Sequence, residues 1–232
     1  MISVIIPASG VGARFGASIP KQFVNLNGEH ILKRTISIFQ NLHFIDEIAV
    51  TVPNGYAQTV QNYDFDKVHH IVEGGKTRAD SVFSALKMLQ SDIVLIHDGV
   101  RPFVANETVQ AVINAVKKHG AALACVPVTD TIKVVTDTTI KTTLDRSQLW
   151  SAQTPQGFTY EMIMGAYTQA QKDGILNQVT DDSTVAEHIG IPVYIVPSSP
   201  KNIKITTEED LLFAEAILNS VGNESQPTEI HN

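Results

Sequence analysis

Cysteine is almost absent from this 232-residue sequence: the single one, Cys125, lies in the apolar stretch "AALACVPV". One thiol cannot form an internal disulfide, and no CxxC or HExxH motif is present, so we expect neither a disulfide framework nor a metal site of those types. We predict a buried structural role for Cys125. A chain without disulfides suits a reducing cytoplasm.

Positive charge and long apolar runs are also scarce. The chain has 17 Lys and Arg against 24 Asp and Glu, a formal net charge of −7. General binding to nucleic acid or to an anionic membrane calls for a basic face, so we expect neither partner, and a polyanionic ligand would need a local basic cluster. No run approaches the roughly 18 apolar residues of a membrane span. The start, "MISVIIPASG", lacks the basic leader of a signal peptide, which favours a cytoplasmic location.

Short apolar runs alternate with helical patterns along most of the chain. The expected strands are 2–8, 46–53, 68–74, 92–98, 122–128 and 192–197. They are too continuously apolar for a sheet with one wet face, so they indicate a sheet covered by helices on both sides. The alternating order predicts an α/β fold with a mostly parallel sheet. A further strand-like run, "NIKIT" (202–206), leads into a C-terminal helix.

Residues 129–145, "TDTIKVVTDTTIKTTLD", interrupt this alternation. Two runs rich in Thr, Val and Ile flank "TDTT", which predicts a β-hairpin. Such a hairpin is marginal alone and needs a partner surface. We interpret it as a protruding arm that docks on a second copy of the chain, with a flap folded on its own domain as the alternative. We predict one domain over 1–218, including this arm, and a flexible tail over 219–232.

The stretch "PASGVGARFGASIPK" (7–21) follows the first strand and contains Arg14 and Lys21. It lacks the GK[ST] of a Walker A loop, and its glycines are spaced one residue too long for the dinucleotide fingerprint. A glycine loop that allows close approach to an anion remains, with two fixed positive charges beside it. Nucleotidyl transfer needs such charges on its phosphates. The alternative is a glycine turn with two solvated charges.

Other polar clusters follow other expected strands. In "GGKTRADS" (74–81), Arg78 and Ser81 could contact a base or ribose, and the alternative is a turn with a helix cap. A lysine in an apolar strand needs an anionic partner, so Lys204 of "NIKIT" should meet either a protein carboxylate or a substrate phosphate.

The segment "IHDGVRPF" (96–103) places Asp98 just past a buried strand. Ligands of open α/β sheets collect beyond the carboxyl ends of strands, and one carboxylate together with substrate phosphates suits Mg²⁺. We expect a structural role for His97, because no second His or Cys offers metal-site spacing. Trp150, further along, is expected in the core.

Together these segments resemble one family, the 2-C-methyl-D-erythritol 4-phosphate cytidylyltransferases of the non-mevalonate isoprenoid pathway. The resemblance covers roughly residues 1–218, in the order "PASGVGARFGASIPKQF", "GGKTRADSV", "IHDGVRPF", "PVTDTIK", "DRSQLWSAQTPQGF", "TDDS" and "NIKIT". It implies a Rossmann-like sheet of the nucleotide-diphospho-sugar transferase type. It also implies transfer of CMP from CTP to methylerythritol phosphate, which releases pyrophosphate and depends on Mg²⁺ or another divalent cation.

The resemblance further implies roles for individual residues. Arg14 and Lys21 would stabilise the α-phosphate in the transition state, while Arg146 and Lys204 would position the acceptor. The implied contacts are Ala8, Ser9 and Gly10 with the triphosphate; Gly75, Lys76, Arg78 and Ser81 with cytosine and ribose; Asp98 with the metal; and Asp98, Arg101, Thr131, Arg146, Thr154 and Lys204 with the acceptor. The family is dimeric, so Thr131 and Arg146 of the arm would serve the neighbouring subunit.

Two alternatives stay open at this point. One is a ribitol-5-phosphate cytidylyltransferase, which has the same fold. The segment "DGVRPF" slightly favours this enzyme, whereas "DRSQLW" favours the methylerythritol enzyme. A non-catalytic nucleotide-binding domain on the same scaffold is the other. The chain departs from the family where Gly99 and Val100 replace a frequent alanine pair, and where Lys76 stands at a position that is often acidic.

Overall fold

A computed structural model describes residues 1–10 and 19–223 of the chain. Its strands are β1 (Ile2–Pro7), β2 (Asn25–Leu26), β3 (Glu29–His30), β4 (Glu47–Val52), β5 (Val68–Glu73), β6 (Ile93–Ile96), β7 (Ala121–Pro127), β8 (Lys133–Thr136), β9 (Thr139–Thr143), β10 (Trp150–Thr159) and β11 (Tyr194–Pro197). Its α-helices are α1 (Ile31–Gln40), α2 (Ala57–Gln61), α3 (Arg78–Leu86), α4 (Asn106–His119), α5 (Tyr160–Lys172), α6 (Asp182–His188) and α7 (Glu208–Asn223).

Seven of the strands form one sheet in the order β11-β7-β10-β6-β1-β4-β5. All neighbours in it are parallel except β10, which runs antiparallel to β6 and β7. The prediction of a mostly parallel α/β sheet is therefore confirmed. The chain builds outward from β1 to β4 and β5, then returns to add β6 on the other side of β1. This reversal creates a switch point, where open α/β sheets bind their ligands.

Helices cover both faces of the sheet, as the continuously apolar strands predicted. On one face, Leu32 and Phe39 of α1 and Val112 of α4 pack on strand residues that include Ile6 and Leu95. On the other face, α3, α5 and α6 bury a second cluster around Phe158 and Ile5. Burial of both faces holds the strand ends in a fixed relation to one another, which a site built from loops requires.

The strand β10 was not predicted, and its sequence explains why. "WSAQTPQGFT" contains a proline and several polar residues, which argue against a central strand. The structure accommodates them with a shift of register against β7 between Ala152 and Gln156, so that Pro155 lies in an irregular stretch where the ladder is interrupted.

The predicted hairpin is present as β8 and β9, which pair only with each other among the described residues. Every residue from Lys133 to Gln148 is exposed. The hairpin thus lies away from the body of its own chain, as expected for an arm.

One expectation about the C-terminal region, a strand-like run at 202–206, was wrong. Residues 202–206 form no strand; they run beside the loop after β6, where Ile205 N–H donates to the carbonyl of Val100 at 2.9 Å. Helix α7 extends to Asn223, past the predicted end of the domain at 218, and Leu218 still packs on the cluster around Leu26. The rest of the predicted tail, 224–232, lies outside the described residues, and the single-domain assignment stays a prediction.

No described helix is long and apolar enough to cross a membrane.

Candidate active site

A cleft of about 310 Å³ opens beyond the carboxyl ends of β1 and β6, at the switch point of the sheet. The described residues that line it are Pro7, Ala8, Ser9, Gly10, Lys21, Gln22, Gly75, Lys76, Thr77, Arg78, Asp98, Val100 and Lys204. The fold therefore brings together polar side chains from four separate segments that the sequence analysis had singled out.

The loop after β1 and the loop after β5 touch each other directly at the cleft. A Cβ on Gly74 would lie 2.0 Å from Cβ of Ser9, so only glycine permits this approach. The hydroxyls of Ser9 and Ser81 are 2.8 Å apart. Gly74 of "GGKTRADS" is thus needed to pack one loop against the other.

Ser81 is fully buried, and its hydroxyl joins these loops. It donates to the carbonyl of Thr77 at 2.9 Å and accepts from the backbone N–H of Gly75 at 3.0 Å. Because its one proton is used, Ser9 must be the donor between the two serines, and the donor and both acceptor sites of Ser81 are filled. Ser81 therefore supports the cleft wall instead of presenting a free donor to a base or ribose.

Helix α3 begins at the same place with a capping box. The Thr77 hydroxyl accepts from the N–H of Asp80, and the Asp80 carboxylate accepts from the N–H of Thr77. These bonds satisfy amides at the helix start that would otherwise lack partners. The helix-cap interpretation of "GGKTRADS" is thus correct for Thr77 and Asp80, while Gly75, Lys76 and Arg78 still line the cleft.

Asp98, two residues past β6, is the point on which the cations of the site converge. Its Oδ1 accepts from Nε of Arg78 at 3.2 Å, and its Oδ2 lies 3.2 Å from Nε of Arg101 and 3.0 Å from Nζ of Lys204. Lys204 therefore has the protein carboxylate that the sequence analysis left as one of two possible partners.

The surroundings of Asp98 keep it ionised. Burial alone would raise the pKa of its carboxyl, but the charges of Arg78, Lys204 and Arg101 outweigh burial and hold the pKa well below its usual range. Lys21, Lys76, Arg78 and Lys204 line the first cleft and Asp98 is the one carboxylate among its described lining, so positive charge is in excess there. A chain with an overall negative charge thus has a local basic cluster suited to a polyanion.

Arg78 is itself held between two carboxylates. Its Nη2 donates to Oδ2 of Asp182 at 2.7 Å, while Tyr167 donates its hydroxyl to Oδ1 of Asp182 at 2.6 Å. Burial would lower the pKa of the guanidinium, but Asp182 and Asp98 raise it above its ordinary value. This chain of contacts fixes Arg78, and through it Asp98, to the N-terminus of α6.

A second cleft, of about 250 Å³, lies on the other side of Asp98. The described residues that line it are Arg78, Asp98, Arg101, Ala152, Gln153, Thr154, Gln156, Thr180, Asp181 and Lys204. Arg78, Asp98 and Lys204 line both clefts. They form a shared wall between two spaces, each large enough for part of a small polar molecule.

Thr154 and His97 support this shared wall from behind. The Thr154 hydroxyl accepts from the backbone N–H of Asp98 at 3.0 Å and lies 3.0 Å from Nδ1 of His97. The other ring nitrogen of His97, Nε2, lies 3.0 Å from the carbonyl oxygen of Arg101. A carbonyl only accepts, so Nε2 carries the ring proton and Thr154 donates to Nδ1. Burial lowers the pKa of His97 to about 4, which keeps the ring neutral. His97 therefore has the structural role that was predicted.

Four predicted site residues are not found among the described lining of either cleft: Ser81, which is buried behind the wall, Thr131, Arg146 and Arg14. Thr131 and Arg146 belong to the exposed arm and the turn after it, and Arg146 Nη1 donates to the carbonyl of Thr129 at 2.7 Å. Arg14 lies outside the described residues.

Several side chains at the site were missed from sequence. Asp182 lies in "TDDS", which was recognised as a motif without a role, and Gln22 follows Lys21 in "PKQF". Tyr167 occupies an apolar helix face that resembles core. Asp182 and Gln22 could have been found from the sequence, because both lie within the motifs quoted above. No sequence feature indicates that Tyr167 pairs with Asp182.

Comparison with known proteins bears on this site. A family profile described as 2-C-methyl-D-erythritol 4-phosphate cytidylyltransferase matches residues 2–220. Proteins of that name from Syntrophus aciditrophicus and Clostridium novyi are 44% and 45% identical to the chain. The matches cover 94% of the chain in both cases and 95% and 96% of the relatives.

Solved structures agree with the sequence matches. The 4-diphosphocytidyl-2C-methyl-D-erythritol synthase of Anaerococcus prevotii superposes with a TM-score of 0.84 at 33% identity, covering 94% of this chain and 96% of that one. The 2-C-methyl-D-erythritol 4-phosphate cytidylyltransferase of Francisella tularensis gives 0.82 at 33% identity, covering 93% and 98%.

Proposed function

The chain belongs to the 2-C-methyl-D-erythritol 4-phosphate cytidylyltransferase family, and we propose that it transfers CMP from CTP to 2-C-methyl-D-erythritol 4-phosphate, a step of isoprenoid precursor synthesis. An oxygen of the acceptor phosphate bonds to the α-phosphorus of CTP. The bond from that phosphorus to the bridging oxygen breaks, and pyrophosphate leaves with the electron pair.

The shared wall between the two clefts carries this proposal. CTP fits the first cleft, with its triphosphate beside Ala8–Gly10 and Lys21, and the acceptor fits the second. Arg78, Asp98 and Lys204 stand between them, so the reacting phosphates meet beside cations. Bringing two anions into contact is the main barrier to such a transfer, and preorganised positive charge lowers it.

No general base is needed for this reaction. The second pKa of a phosphate monoester is near 6, so the acceptor phosphate is largely dianionic at neutral pH. Among the described residues, neither cleft is lined by a histidine or a cysteine. The charged residues of the site therefore act by binding and orienting phosphates.

A divalent cation, Mg²⁺ for example, fits this site only together with the nucleotide. Asp98 is the one acidic residue among the described lining of the first cleft, and it offers the hard oxygen ligands that Mg²⁺ prefers. No group of three or more His, Cys, Asp or Glu in the described part of the chain could hold a metal alone. Bound Mg²⁺ would offset charge on the phosphates. The side chain of Lys204 is 40% exposed, so it has room to exchange Asp98 for the acceptor phosphate.

We further propose a homodimer in which the arm reaches the partner's second cleft and supplies Thr131 and Arg146. The exposure of the whole arm supports this, since its apolar residues Val135 and Ile140 need a surface. In such an assembly each site would consist of one subunit's clefts and the other subunit's arm.

The sheet face at the base of the arm supports the same dimer. Trp150 of β10 is paired with Pro127 of β7, and Ala152 of β10 is paired with Cys125 of β7. Pro197 of β11 is paired with the same Cys125, so all five residues lie on one face of the sheet. Trp150 is 40% exposed there, contrary to the expectation that it lies in the core. The exposed apolar residues of this face lie next to the arm and suit contact with a second copy of the chain.

Mixed subunits test the dimer. Lys21→Ala and Arg146→Ala chains, each inactive alone, are mixed after unfolding and refolded together. If Arg146 acts on the partner's site, half of the sites in each heterodimer are intact, and statistical mixing restores about a quarter of wild-type activity. No recovery in confirmed heterodimers would show that the arm works on its own chain.

Pyrophosphate release tests the acceptor. Purified chain with CTP and Mg²⁺ is expected to turn over 2-C-methyl-D-erythritol 4-phosphate far faster than ribitol 5-phosphate. The family profile and the relatives above, all named for the methylerythritol substrate, do not favour ribitol phosphate. Faster turnover of ribitol phosphate, or CTP binding without any turnover, would overturn the proposal.

A cytoplasmic location is part of the proposal. The sole cysteine is buried and unpaired, which suits a reducing compartment.

A further inference from the structure

Gln22 makes an unusual pair of contacts at the first cleft. It follows Lys21 in a short 3₁₀ turn (Lys21–Phe23), and it is only 2% exposed. Its side-chain Nε2 donates to the carbonyl oxygen of Ala8 and, at 3.1 Å, to that of Gly10. Both carbonyls belong to the loop after β1 that lines the cleft.

These contacts determine how the amide is oriented. A carbonyl oxygen only accepts, so the nitrogen of Gln22, and not its oxygen, must face Ala8 and Gly10. Both N–H groups of that nitrogen are then used. The side-chain amide of Gln22 therefore connects residue 22 to residue 10 by a direct hydrogen bond, in addition to the chain between them.

These hydrogen bonds affect Lys21 because Lys21 and Gln22 are adjacent in one turn. Fixing Gln22 against Ala8 and Gly10 fixes the backbone of Lys21 beside the same loop, and Lys21 also lines the cleft. In addition, a donor on each carbonyl offsets two partial negative charges at the place where a triphosphate would bind.

We propose that Gln22 is a positioning residue for the transfer: it holds Lys21 against the Ala8–Gly10 loop in the geometry that the transition state requires. The inference rests on the proposed function. Gln22 acts through Lys21 and the loop without touching the reacting atoms. A displacement of about 1 Å in such a group can cost about a hundredfold in rate, so loss of the Gln22 hydrogen bonds should appear mainly in kcat.

The test compares two glutamines of the full-length chain. Gln22→Met keeps the side-chain length and removes the donors. Gln40→Met is the matched control, since the Gln40 side chain accepts from Lys67 N–H at 3.0 Å and Gln40 lines neither cleft. Pyrophosphate release gives kcat and KM for both substrates, and thermal unfolding gives Tm. We expect kcat of Gln22→Met to fall about tenfold or more, with less than a twofold change in Gln40→Met and in the KM for the acceptor.

A double-mutant cycle then separates positioning from general damage. Gln22→Met is combined with Lys21→Ala, and turnover is followed with radiolabelled CTP so that slow rates are measured. If Gln22 acts through Lys21, it lowers kcat by less than about twofold in the Lys21→Ala background. The same factor in both backgrounds, or an unchanged kcat in folded Gln22→Met, would overturn the inference. Should Gln22→Met fail to fold, Gln22→Asn, whose shorter amide cannot span both carbonyls, takes its place. A wild-type chain without turnover would instead refute the proposed function.

Discussion

Replacing Asp182 by asparagine should unfold the chain far more readily than the same change at Asp173. Both carboxylates have a basic partner at 2.7 Å, Arg78 for Asp182 and His188 for Asp173, and the second contact is an ion pair only when His188 is protonated. The pairs differ in burial: the Asp182 side chain is fully buried, whereas that of Asp173 is 37% exposed. Asparagine keeps the shape of the side chain and removes its charge, so each variant loses the charge of its contact with little change in volume.

The expected loss at Asp182 follows from the charge left behind. Breaking a buried pair costs about 3–5 kcal/mol because its partner stays buried without full compensation, and since Arg78 keeps Asp98 we expect the lower end, about 3 kcal/mol. The exposed pair at Asp173 should cost less than about 1 kcal/mol. For a chain of this length, the loss at Asp182 corresponds to a fall in Tm of about 6–12 °C.

Urea unfolding at neutral pH measures both free energies directly, and thermal unfolding measures the two shifts in Tm. In 1 M salt the loss at Asp173 should vanish while that at Asp182 persists, because a buried pair is screened little. Equal losses in the two variants would refute the reasoning, as would a loss at Asp182 below 1 kcal/mol. A loss at Asp182 below 1 kcal/mol would mean that Asp98 alone is enough to hold Arg78.

Two further predictions concern pH and rate. The unfolded chain protonates His97 below its ordinary pKa of 6.5, whereas the folded chain does so only near 4, so the free energy of unfolding should fall as the pH drops through this window, by about 2 kcal/mol at pH 5. Urea unfolding of His97→Asn should lack this part of the pH dependence, and an unchanged slope would argue against a neutral buried ring. Lys21→Ala and Arg14→Ala should each lower kcat by about two or more powers of ten and weaken CTP binding much less, as pre-steady-state rates and calorimetry would measure. Equal losses in rate and binding would contradict a transition-state role.

The fold class, and most of the residues that line the candidate site, could be predicted from the sequence alone. The six apolar runs were long enough, and apolar enough on both faces, to require a covered parallel sheet. Their polar ends pointed to Asp98 and to the glycine-containing segments 7–21 and 74–81, because the carboxyl ends of parallel strands meet at one edge. The family resemblance then implied Ala8–Gly10 and Gly75. The hairpin could also be predicted, because its alternation of polar and β-branched residues is visible within one short segment of the sequence.

Tertiary structure alone decided how the charges of the site are paired. Arg78 meets Asp182 across 104 positions of the chain, and Arg101 reaches the carbonyl of Asn202 across 101. No local pattern encodes such partners, because they depend on which loops the sheet order brings together. The strand β10 was hidden for a similar reason, since an irregular ladder around Pro155 is tolerated only between strands that are already in place.

The same division applies to individual residues of the site. Lys204 and Ser81 could be singled out from the sequence by residue type and position. Their partners could not: the fold places Lys204 against a protein carboxylate and Ser81 between two facing loops. A sequence specifies which groups are charged or polar and where strands end. Whether a given group is free to meet a ligand or is already held by the protein depends on burial and on contacts between distant segments, which only the folded chain creates.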